Sequence, residues 1–475
     1  MLTRCGYLKT KGSLSNVENK NLREELTVQP ISESNFIVGE PFKVYRESLT
    51  QFRLPKFWAI ERFGKDYIDK SLNGVPISLE FNGTLNESTR QPEAVEKSLK
   101  CLQKTGGGIL CLPPGYGKTT VSLYLLSQLK TKTLVIVHKE FLMTQWKERI
   151  AQFLPSASVG CIQQNKFDVQ GRHIVMGMLQ SLSSKSYDPK MFDSFGLVII
   201  DETHHICSRV FSKALFNLCP KYILGLSATP QRKDGLTKVL NWFIGPIIFK
   251  VEREKQDGVF VVYYVYKDPY FTNENIPMSV IGKVNFSKIV NILCEIKERN
   301  ELIVAIVSQL LNEQRKIIIL SDRRSHCEEL CEMTRGNGAE CSLYMGGMSQ
   351  AELTLSEKAD VIFATYSMAQ EGLDIPKLDT LIMATPKTDI VQASGRIMRE
   401  TPGKKNNPLI VDICDFWQPL HSKGPKRRSY YKKSGFKVSS TSSLPLNLEH
   451  TQFTKLQDSK PKQTKSYCFV NDEES

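Results

Sequence analysis

An apolar run, a glycine-rich turn and a second apolar run constrain this chain more than any other stretch. The run Ile109–Leu112 comes before the turn, and Val121–Leu126 comes after it. The turn itself consists of Pro113, Pro114, Gly115, Tyr116, Gly117, Lys118, Thr119 and Thr120. Glycines in such a turn let backbone N–H groups point inward around a phosphate chain, and a following helix adds its N-terminal dipole. The sequence therefore predicts a strand, a phosphate-binding loop and a helix.

The polar side chains of this loop suit a nucleoside triphosphate. Lys118 can reach the β- and γ-phosphates, and the Thr119 hydroxyl can hold Mg²⁺. Leu112 stands where the pattern G-x-x-x-x-G-K-[ST] has its first glycine. The alternative is a surface turn with a chance Gly-Lys-Thr, but the flanking strand and helix favour phosphate binding. We therefore expect the residues from Leu112 to Thr120 to bind ATP.

Two carboxylates follow another predicted buried strand, Leu197–Ile200. Asp201 and Glu202 come directly after it, at the carboxyl end where open parallel sheets bind their ligands. Asp201 is the expected Mg²⁺ ligand, and Glu202 is expected to orient or deprotonate the attacking water. An isolated Asp-Glu pair is more often a solvated strand end. Because the phosphate loop lies upstream, we interpret this pair as catalytic.

The alternation of strand-like and helix-like segments predicts an α/β protein with two tandem lobes, each built on a parallel sheet. We expect a flexible arm, a small N-terminal region, a first lobe, a connector and a second lobe at residues 1–28, 29–80, 81–250, 251–286 and 287–420. The clearest strands are expected at residues 133–137, 173–176, 197–200, 222–226, 316–320, 361–363, 380–383 and 409–411. Residues 421–475 are basic with interleaved aromatics, and we expect a disordered tail there.

The net charge and the cysteine content limit which partners and which cellular compartment are expected for this protein. The 475 residues carry 63 lysines and arginines against 50 acidic residues, a net charge of +13, which suits a polyanionic partner such as nucleic acid. The 12 cysteines include no C-x-x-C pair, which favours a reduced, intracellular protein. A zinc site at His204, His205 and Cys207 lacks a second half. The sequence shows no secretion signal and no apolar run of membrane-spanning length.

A second cluster of polar residues lies on one predicted helix of the second lobe. Gln392, Gly395, Arg396 and Arg399 are spaced i, i+3, i+4 and i+7, so they share one helical face. Two arginines also occur on ordinary solvent faces. An arginine-bearing second lobe, however, is what a split ATP site requires, because guanidinium groups stabilise the charge that develops on the γ-phosphate.

Taken in order, these motifs resemble those of the superfamily 2 helicases over about residues 80 to 418. The loop from Leu112 to Thr119 resembles motif I, and Asp201-Glu202-Thr203-His204 resembles the DEAH-type motif II with threonine in place of alanine. Motif III is similar to Ser227-Ala228-Thr229, and motif VI to the segment from Gln392 to Arg399. Motif V is similar to Ala364-Thr365-Tyr366 with residues 371–374. The resemblance implies two RecA-like lobes.

The resemblance also implies roles for single residues. Gln91 matches the glutamine that recognises adenine, and His204 and Gln392 match residues that line the nucleotide. Nucleic acid would cross both lobes at His138, Gln180, Ser181, Arg323, Gly347 and Thr365. Such contacts grip phosphates rather than bases, so we expect binding that does not depend on sequence.

The segment from Ser227 to Gly235 most resembles the branch with the xeroderma pigmentosum B-type helicases, the phage UvsW-type helicase and the helicases of large DNA viruses. We expect an ATP-dependent DNA helicase or translocase in which ATP closes the two lobes. An RNA-directed or transcript-releasing motor shares every motif and stays open as an alternative. An ATP-gated clamp without unwinding is the alternative from another class, and a simple basic binder would leave Lys118, Glu202 and the arginines without a role.

Overall fold

The computed structural model describes residues 1–31, 40–64, 66–185, 187–205, 212–228, 234–251, 258–280, 282–371, 373, 375–388, 390–398, 404–421, 423–448 and 466–467. The chain divides into two compact units. One contains Met1–Glu252 together with the short strand at 466–467, and the other is formed by Arg253–Gln463. Every helix that the structure describes is too short or too polar to span a bilayer.

The first unit opens with a small module of short elements. Its strands are β1 (Leu2–Thr3), β2 (Gly6–Thr10), β3 (Thr27–Val28), β4 (Phe42–Lys43), β5 (Arg46–Glu47), β6 (Gln51–Leu54) and β7 (Asp69–Lys70), and its helices are α1 (Asn16–Glu25) and α2 (Lys56–Phe63). A mixed sheet has the order β5-β6-β2-β1-β7, and β3 pairs with β4.

The prediction of a flexible arm at residues 1–28 was wrong. Leu2 and Leu26 are fully buried, and a capping box starts α1, since the Ser15 hydroxyl accepts a hydrogen bond from the Glu18 N–H at 3.2 Å and the Glu18 carboxylate accepts one from the Ser15 N–H at 2.8 Å. The polar residues of this stretch occupy the solvent-facing positions of short helices and strands. Too few residues lie in each element for a period to show in the sequence.

The module packs directly on the rest of the first unit. The Lys56 ammonium donates to the Lys221 carbonyl at 3.2 Å, and the Cys219 N–H donates to the Arg4 carbonyl at 3.0 Å. Lys56 is buried, and burial lowers the pKa of its ammonium group. Apolar residues of the module, including Trp58, share one continuous core with residues such as Phe243.

The larger part of the first unit is a parallel α/β lobe. Its strands are β8 (Gly107–Cys111), β9 (Thr133–Val137), β10 (Val159–Gln163), β11 (Lys166–Asp168), β12 (Ile174–Met178), β13 (Leu197–Ile200), β14 (Tyr222–Ser227) and β15 (Ile247–Val251). Its helices are α3 (Gln91–Thr105), α4 (Lys118–Leu129), α5 (Glu140–Phe153), α6 (Leu179–Ser184), α7 (Ser212–Leu215) and α8 (Thr237–Ile244).

The described strands of this lobe are ordered β11-β10-β12-β9-β13-β14-β8-β15, and a strand at Ser466–Tyr467 pairs with β15. The pairs from β10 to β15 are parallel, whereas β11 is antiparallel. The three strands β13, β14 and β8 are adjacent, with Ile200 opposite Gly225 and Ser227 opposite Cys111. Their carboxyl ends therefore bring the carboxylates, Ser227 and the phosphate loop to one edge.

The second unit contains another parallel α/β lobe. Its strands are β16 (Phe260–Tyr266), β17 (Ile317–Ser321), β18 (Cys341–Tyr344), β19 (Val361–Thr365), β20 (Thr380–Met383), β21 (Leu409–Asp415) and β22 (Lys437–Thr441). Its helices are α9 (Phe286–Glu295), α10 (Lys297–Asn312), α11 (Arg324–Gly336), α12 (Gln350–Ser356), α13 (Tyr366–Glu371), α14 (Val391–Ile397) and α15 (Lys423–Lys433). All of its described strands pair in parallel in the order β18-β19-β17-β20-β21-β16-β22.

Both lobes thus confirm the predicted parallel α/β fold, and each of the eight proposed strands is present. The segment 251–286, which we expected to be a connector, contains β16, and β16 lies inside the second sheet between β21 and β22. Its valines and tyrosines form a continuous apolar run because both faces of the sheet are covered.

The prediction of a disordered tail was wrong for residues 423–448. In α15, Gly424, Arg427 and Tyr431 are buried. The Arg427 Nε donates to the Asp412 carboxylate at 2.8 Å, and the Tyr431 hydroxyl donates to the same carboxylate at 2.9 Å. The sequence did not reveal this arrangement, because the arginine that faces the core is the same residue type as the arginines that face solvent. A buried ion pair holds α15 to β21, so α15 is an integral part of the second lobe.

Candidate active site

The phosphate loop has the backbone that its sequence predicts. Gly115 and Gly117 adopt φ values of +87° and +79°, which side-chain-bearing residues rarely adopt. The Tyr116 N–H donates to the Pro113 carbonyl at 3.2 Å, and α4 begins at Lys118 with Gly117 as its N-cap. Thr119 and Thr120 are partly buried in the first turn of α4. Leu112 is fully buried, so the missing glycine is replaced by a core residue that anchors the loop.

Gln91 contacts this loop. Its amide nitrogen donates to the Tyr116 carbonyl at 3.2 Å, and its amide oxygen accepts a hydrogen bond from the Asn86 N–H at 3.0 Å. A Cβ at Gly117 would lie only 2.3 Å from the Gln91 Nε2. Gly117 is therefore required both for its φ and for the approach of Gln91. In this structure Gln91 shapes the phosphate loop, and its predicted contact with adenine stays a prediction.

Asp201 is held by a tryptophan that our reading of the sequence missed. The Trp146 indole N–H donates to the Asp201 Oδ2 at 2.9 Å, and the Glu202 N–H donates to Oδ1 at 3.0 Å. Trp146 lies on the apolar face of α5 with Leu142, Met143 and Ile150. Burial and the adjacent Glu202 charge raise the pKa of Asp201, while Lys118 and the indole N–H lower it. In the sequence Trp146 is one more apolar residue on that face of α5, so nothing marks it as the partner of Asp201.

Glu202 occupies an unusual backbone conformation. Its φ of +46° lies in the left-handed region, where a non-glycine residue is strained. The Glu202 Oε1 is 3.6 Å from the Lys118 ammonium, and Oε2 is 3.4 Å from His204 Nδ1. The side chains of Lys118 and Glu202 are only 14% and 13% exposed. The strained turn thus places the second carboxylate against the phosphate loop.

Thr203, which departs from the usual alanine, connects the carboxylate turn to the next strand. Its hydroxyl donates to the Leu226 carbonyl at 3.2 Å. A Cβ at Gly225 would lie 2.7 Å from the Thr203 methyl group, so the glycine makes room for the threonine. Ser227 follows as a fully buried residue, and Thr229 lies outside the described residues. The carboxylate turn and the strand that leads into the 227–229 segment are therefore joined by a direct contact.

The donor set fits Mg²⁺. Asp201 supplies a carboxylate and Thr119 supplies a hydroxyl, both hard oxygen ligands of the kind that Mg²⁺ prefers together with substrate phosphates. A bound cation would also favour the ionised form of Asp201, which burial disfavours. Among the described residues, no cluster of three or more His, Cys, Asp or Glu side chains has the arrangement of a metal site. The zinc ligand considered at Cys207 lies outside the described residues.

Trp146→Phe is expected to raise the Mg²⁺ concentration needed for half-maximal ATP hydrolysis. The ring would still fill its place in the core, but Asp201 would lose the donor that orients it. Removal of such an outer contact typically costs about 10- to 100-fold in metal affinity or activity. The measurement is a Mg²⁺ titration of ATPase rate and of the affinity for a fluorescent ATP analogue.

Trp58→Phe is the matched control. Trp58 is buried like Trp146, and its indole N–H donates to the Glu25 carboxylate at 2.7 Å, but it lies in the N-terminal module. Equal Mg²⁺ dependence in the two variants would mean that the Trp146 contact only supports the fold.

The arginine-bearing helix is only partly described. Gln392 and Arg396 lie in α14 and are partly buried, and the Arg396 Nε donates to the Ala369 carbonyl in α13 at 2.9 Å. Gly395 is buried in the same helix. Arg399 lies outside the described residues, so the predicted common face is described only as far as Met398.

The predicted nucleic-acid residues differ in how their polar groups are engaged. His138 is buried, and its carbonyl accepts a hydrogen bond from the Gln180 side chain at 2.6 Å. The Ser181 hydroxyl accepts one from the Gln164 N–H at 2.8 Å. These three residues thus gather at the ends of β9 and β12, although the side chains of Gln180 and Ser181 bind the protein itself.

In the second unit, Arg323 follows β17 and contacts α9. Its Nε donates to the Asn291 amide oxygen at 2.6 Å, and its Nη2 donates to the Ser287 hydroxyl at 2.9 Å. Gly347 follows β18, is exposed and has a φ of +91°. Thr365 ends β19, with its hydroxyl 3.1 Å from that of Ser367. The carboxyl ends of neighbouring strands therefore present Arg323, Gly347 and Thr365 along one edge.

Known proteins resemble the chain over both units. Residues 84–232 match the family model described as "Type III restriction enzyme, res subunit", and residues 298–401 match "Helicase conserved C-terminal domain". Protein L396 of Acanthamoeba polyphaga mimivirus, assigned as an ATP-dependent RNA helicase, is 34% identical over 92% of this chain and 86% of its own length. Protein 161L of Invertebrate iridescent virus 6, assigned as a helicase, is 27% identical over 76% of this chain and 83% of its own length.

A further viral relative and a solved structure extend the comparison. QP509L of African swine fever virus (isolate Pig/Kenya/KEN-50/1950), also assigned as an ATP-dependent RNA helicase, is 28% identical over 73% of each chain. The structure of a variant of S. cerevisiae Dbp5 bound to RNA and ADP BeF3 matches with a TM-score of 0.54 and 12% identity, over 73% of this chain and 89% of the other. At that identity the match concerns the fold alone.

A phosphate loop and a carboxylate pair at the edge of one parallel α/β unit, followed by a second such unit, define a two-lobed ATPase of the RecA-like type. With the viral relatives and both family models, the assignment becomes more specific. The chain belongs to the superfamily 2 helicases and is a nucleic-acid-dependent ATPase.

Proposed function

We propose that this protein is an ATP-driven motor that moves along or separates strands of DNA. The observation that carries the proposal is the approach of Lys118 in the phosphate loop to Glu202 in the carboxylate turn, 3.6 Å between nitrogen and oxygen. A phosphate-binding lysine and a water-handling carboxylate at one sheet edge are the two groups that triphosphate hydrolysis needs. The viral origin of the relatives supports action inside an infected cell.

The residues of the first unit divide the chemistry among them. Lys118 lies 3.6 Å from Glu202 in the structure. The β- and γ-phosphates offer this ammonium a larger negative charge, so ATP draws Lys118 away and leaves Glu202 to accept a proton from water. Thr119 and Asp201 would hold Mg²⁺, which supplies neutralisation of phosphate charge. Thr203 passes a change at the carboxylates to the strand that leads into residues 227–229.

We propose that Gln392, Arg396 and Arg399 of the second unit act on the bound nucleotide. A guanidinium carries a fixed charge and planar donors, so it stabilises the charge on the transferred phosphoryl group. The strand ends at His138 and Gln180 in one unit and at Arg323, Gly347 and Thr365 in the other would contact the phosphates of the bound strand.

RNA is the second candidate substrate, because two of the viral relatives are assigned as RNA helicases. Steady-state ATPase measured with single- and double-stranded DNA and RNA separates the two. DNA is expected to stimulate hydrolysis more strongly than RNA, with an affinity that falls steeply as salt rises because phosphate contacts release counterions. If only RNA stimulated hydrolysis, the substrate would be RNA. If neither polymer stimulated hydrolysis, the proposal of a nucleic-acid motor would be contradicted.

A further inference from the structure

A cavity of about 290 Å³ lies in the second unit, where the carboxyl ends of β16 and β21 meet the first turn of α15. The side chains that matter around it belong to Tyr263, Phe416, His421, Lys423 and Arg428. Parallel strands end at one edge of a sheet, and at this edge β17 and β19 lead into Arg323 and Thr365. The cavity therefore lies along the same edge as the residues proposed to hold a nucleic-acid strand.

The cavity is positively charged. Arg428 is exposed, with its guanidinium 4.0 Å from the centre of the Tyr263 ring, and Lys423 lies 4.6 Å from the centre of the Phe286 ring. Neither cation forms an ion pair with a carboxylate in the part of the chain that the structure describes. The acids beneath them are engaged elsewhere, since Asp412 binds Arg427 and Asp415 binds Arg299.

The surroundings of Lys423 make an anion favourable. Burial lowers the pKa of the Lys423 ammonium, the neighbouring charges of Arg427 and Lys387 lower it further, and Asp322 raises it. Asp322 is itself paired with Lys387 at 2.8 Å. An ammonium that is partly desolvated among other cations gains more from a phosphate than a fully solvated surface lysine does.

Aromatic rings form another wall of the cavity. Phe416 is 56% exposed, and its ring centre is 5.0 Å from that of His421 with an angle of 44° between the planes. Next to phosphate-binding cations, an exposed aromatic side chain offers a surface on which a base can stack. The volume is near the lower end of the range for small-ligand pockets, about 300–1,000 Å³, so it has room for one nucleotide.

We propose that this cavity binds one nucleotide unit of a single nucleic-acid strand, with its phosphate at Lys423 and Arg428 and its base against Phe416. The inference rests on the proposed function, because it extends the path of the strand along the second sheet. Among the basic residues of α15, this role falls to Lys423 and Arg428. Lys432 and Lys433 are exposed on α15 and do not line the cavity, whereas Arg427 lines it but is paired with Asp412.

The test compares two double variants of the full chain that remove the same charge from the same helix. Lys423→Gln with Arg428→Gln removes the cavity cations, and Lys432→Gln with Lys433→Gln is the matched control. Fluorescence anisotropy reports binding of a thymidine and a uridine oligonucleotide over a range of salt concentrations. The cavity variant should bind about tenfold more weakly. Its salt slope should flatten by about 0.7, because the two cations hold one phosphate and each phosphate contact on a single strand contributes about 0.7.

Two single variants address stacking and folding. Phe416→Ala is expected to weaken binding by at least about fivefold, as loss of one stacked base does, without a change in salt slope. Arg428→Glu alters only one exposed side chain, so it tests the cavity even if the double variant unfolds. Because it replaces a cation with an anion, it should weaken binding relative to the parent protein. If the parent protein binds neither oligonucleotide, the proposed function fails. If the parent binds and the cavity and control variants have equal affinities and slopes, the cavity proposal alone fails.

Discussion

Glu202→Gln is expected to bind ATP with nearly the parent affinity and to hydrolyse it at least about a hundredfold more slowly, because general-base assistance is worth roughly 10² to 10⁴ in rate. The amide keeps the size of the side chain, so the backbone strain at φ +46° is expected to stay the same. It cannot accept a proton from water. Lys118→Ala, in contrast, should lose affinity as well as turnover, because the lysine charge acts on bound phosphate before any chemistry takes place.

The measurement pairs the affinity for a fluorescent ATP analogue with single-turnover hydrolysis in saturating nucleic acid. Glu301→Gln is the matched control, since its carboxylate lies 3.6 Å from the Lys297 ammonium, the same separation as in the Lys118–Glu202 pair, but on the surface of α10. We expect this control to behave like the parent protein. Equal loss of ATP affinity in Glu202→Gln and Lys118→Ala would contradict the separate roles given to the two residues.

Arg399→Ala is expected to reduce nucleic-acid-stimulated turnover by about 10³-fold or more, in line with the roughly 10³ to 10⁵ that an arginine finger contributes. Initial ATP binding should be largely spared, because the phosphate loop and the carboxylates lie in the other unit. Arg399→Lys should recover little, since an ammonium cannot reproduce the planar fork of a guanidinium. Stimulated ATPase rate, nucleotide affinity and melting temperature together make the test.

An arginine of the same unit provides the comparison for Arg399. Arg335 is exposed on α11, and its guanidinium donates to the Cys341 carbonyl at 3.1 Å. Arg335→Ala should leave stimulated turnover unchanged. Near-parent turnover in a stable Arg399→Ala protein would overturn the role given to the second unit in hydrolysis.

The sequence predicted the parallel lobes because buried strands leave a strong signal. Val, Ile and Leu runs such as Thr133–Val137 are covered on both faces, so they read as continuous apolar segments. The residues at their carboxyl ends were predictable for the same reason, since strand direction fixes where Asp201 and Glu202 lie. An apolar run of this kind predicts where a buried strand lies and which residue follows its carboxyl end.

Contacts between distant elements left no such signal. The Trp146 N–H reaches Asp201 across 55 positions of sequence, and an apolar helix face gives no sign that one of its members donates a hydrogen bond. The left-handed backbone of Glu202 is equally hidden, because no glycine or asparagine marks it. In α15, a single arginine turns inward while its neighbours face water, and only the position of Asp412 on β21 decides which one does so.

The shared core of the N-terminal module and the first lobe also limits how this gene can be rearranged. Recombination that exchanged the codons for residues 1–80 would leave Phe243 and the surfaces around Lys221 facing a foreign partner, since the present partners come from that segment. A functional chimera would have to carry matching changes in α8 and in the turn before β14. The N-terminal module and the first lobe are thus expected to be inherited together and to change together in evolution.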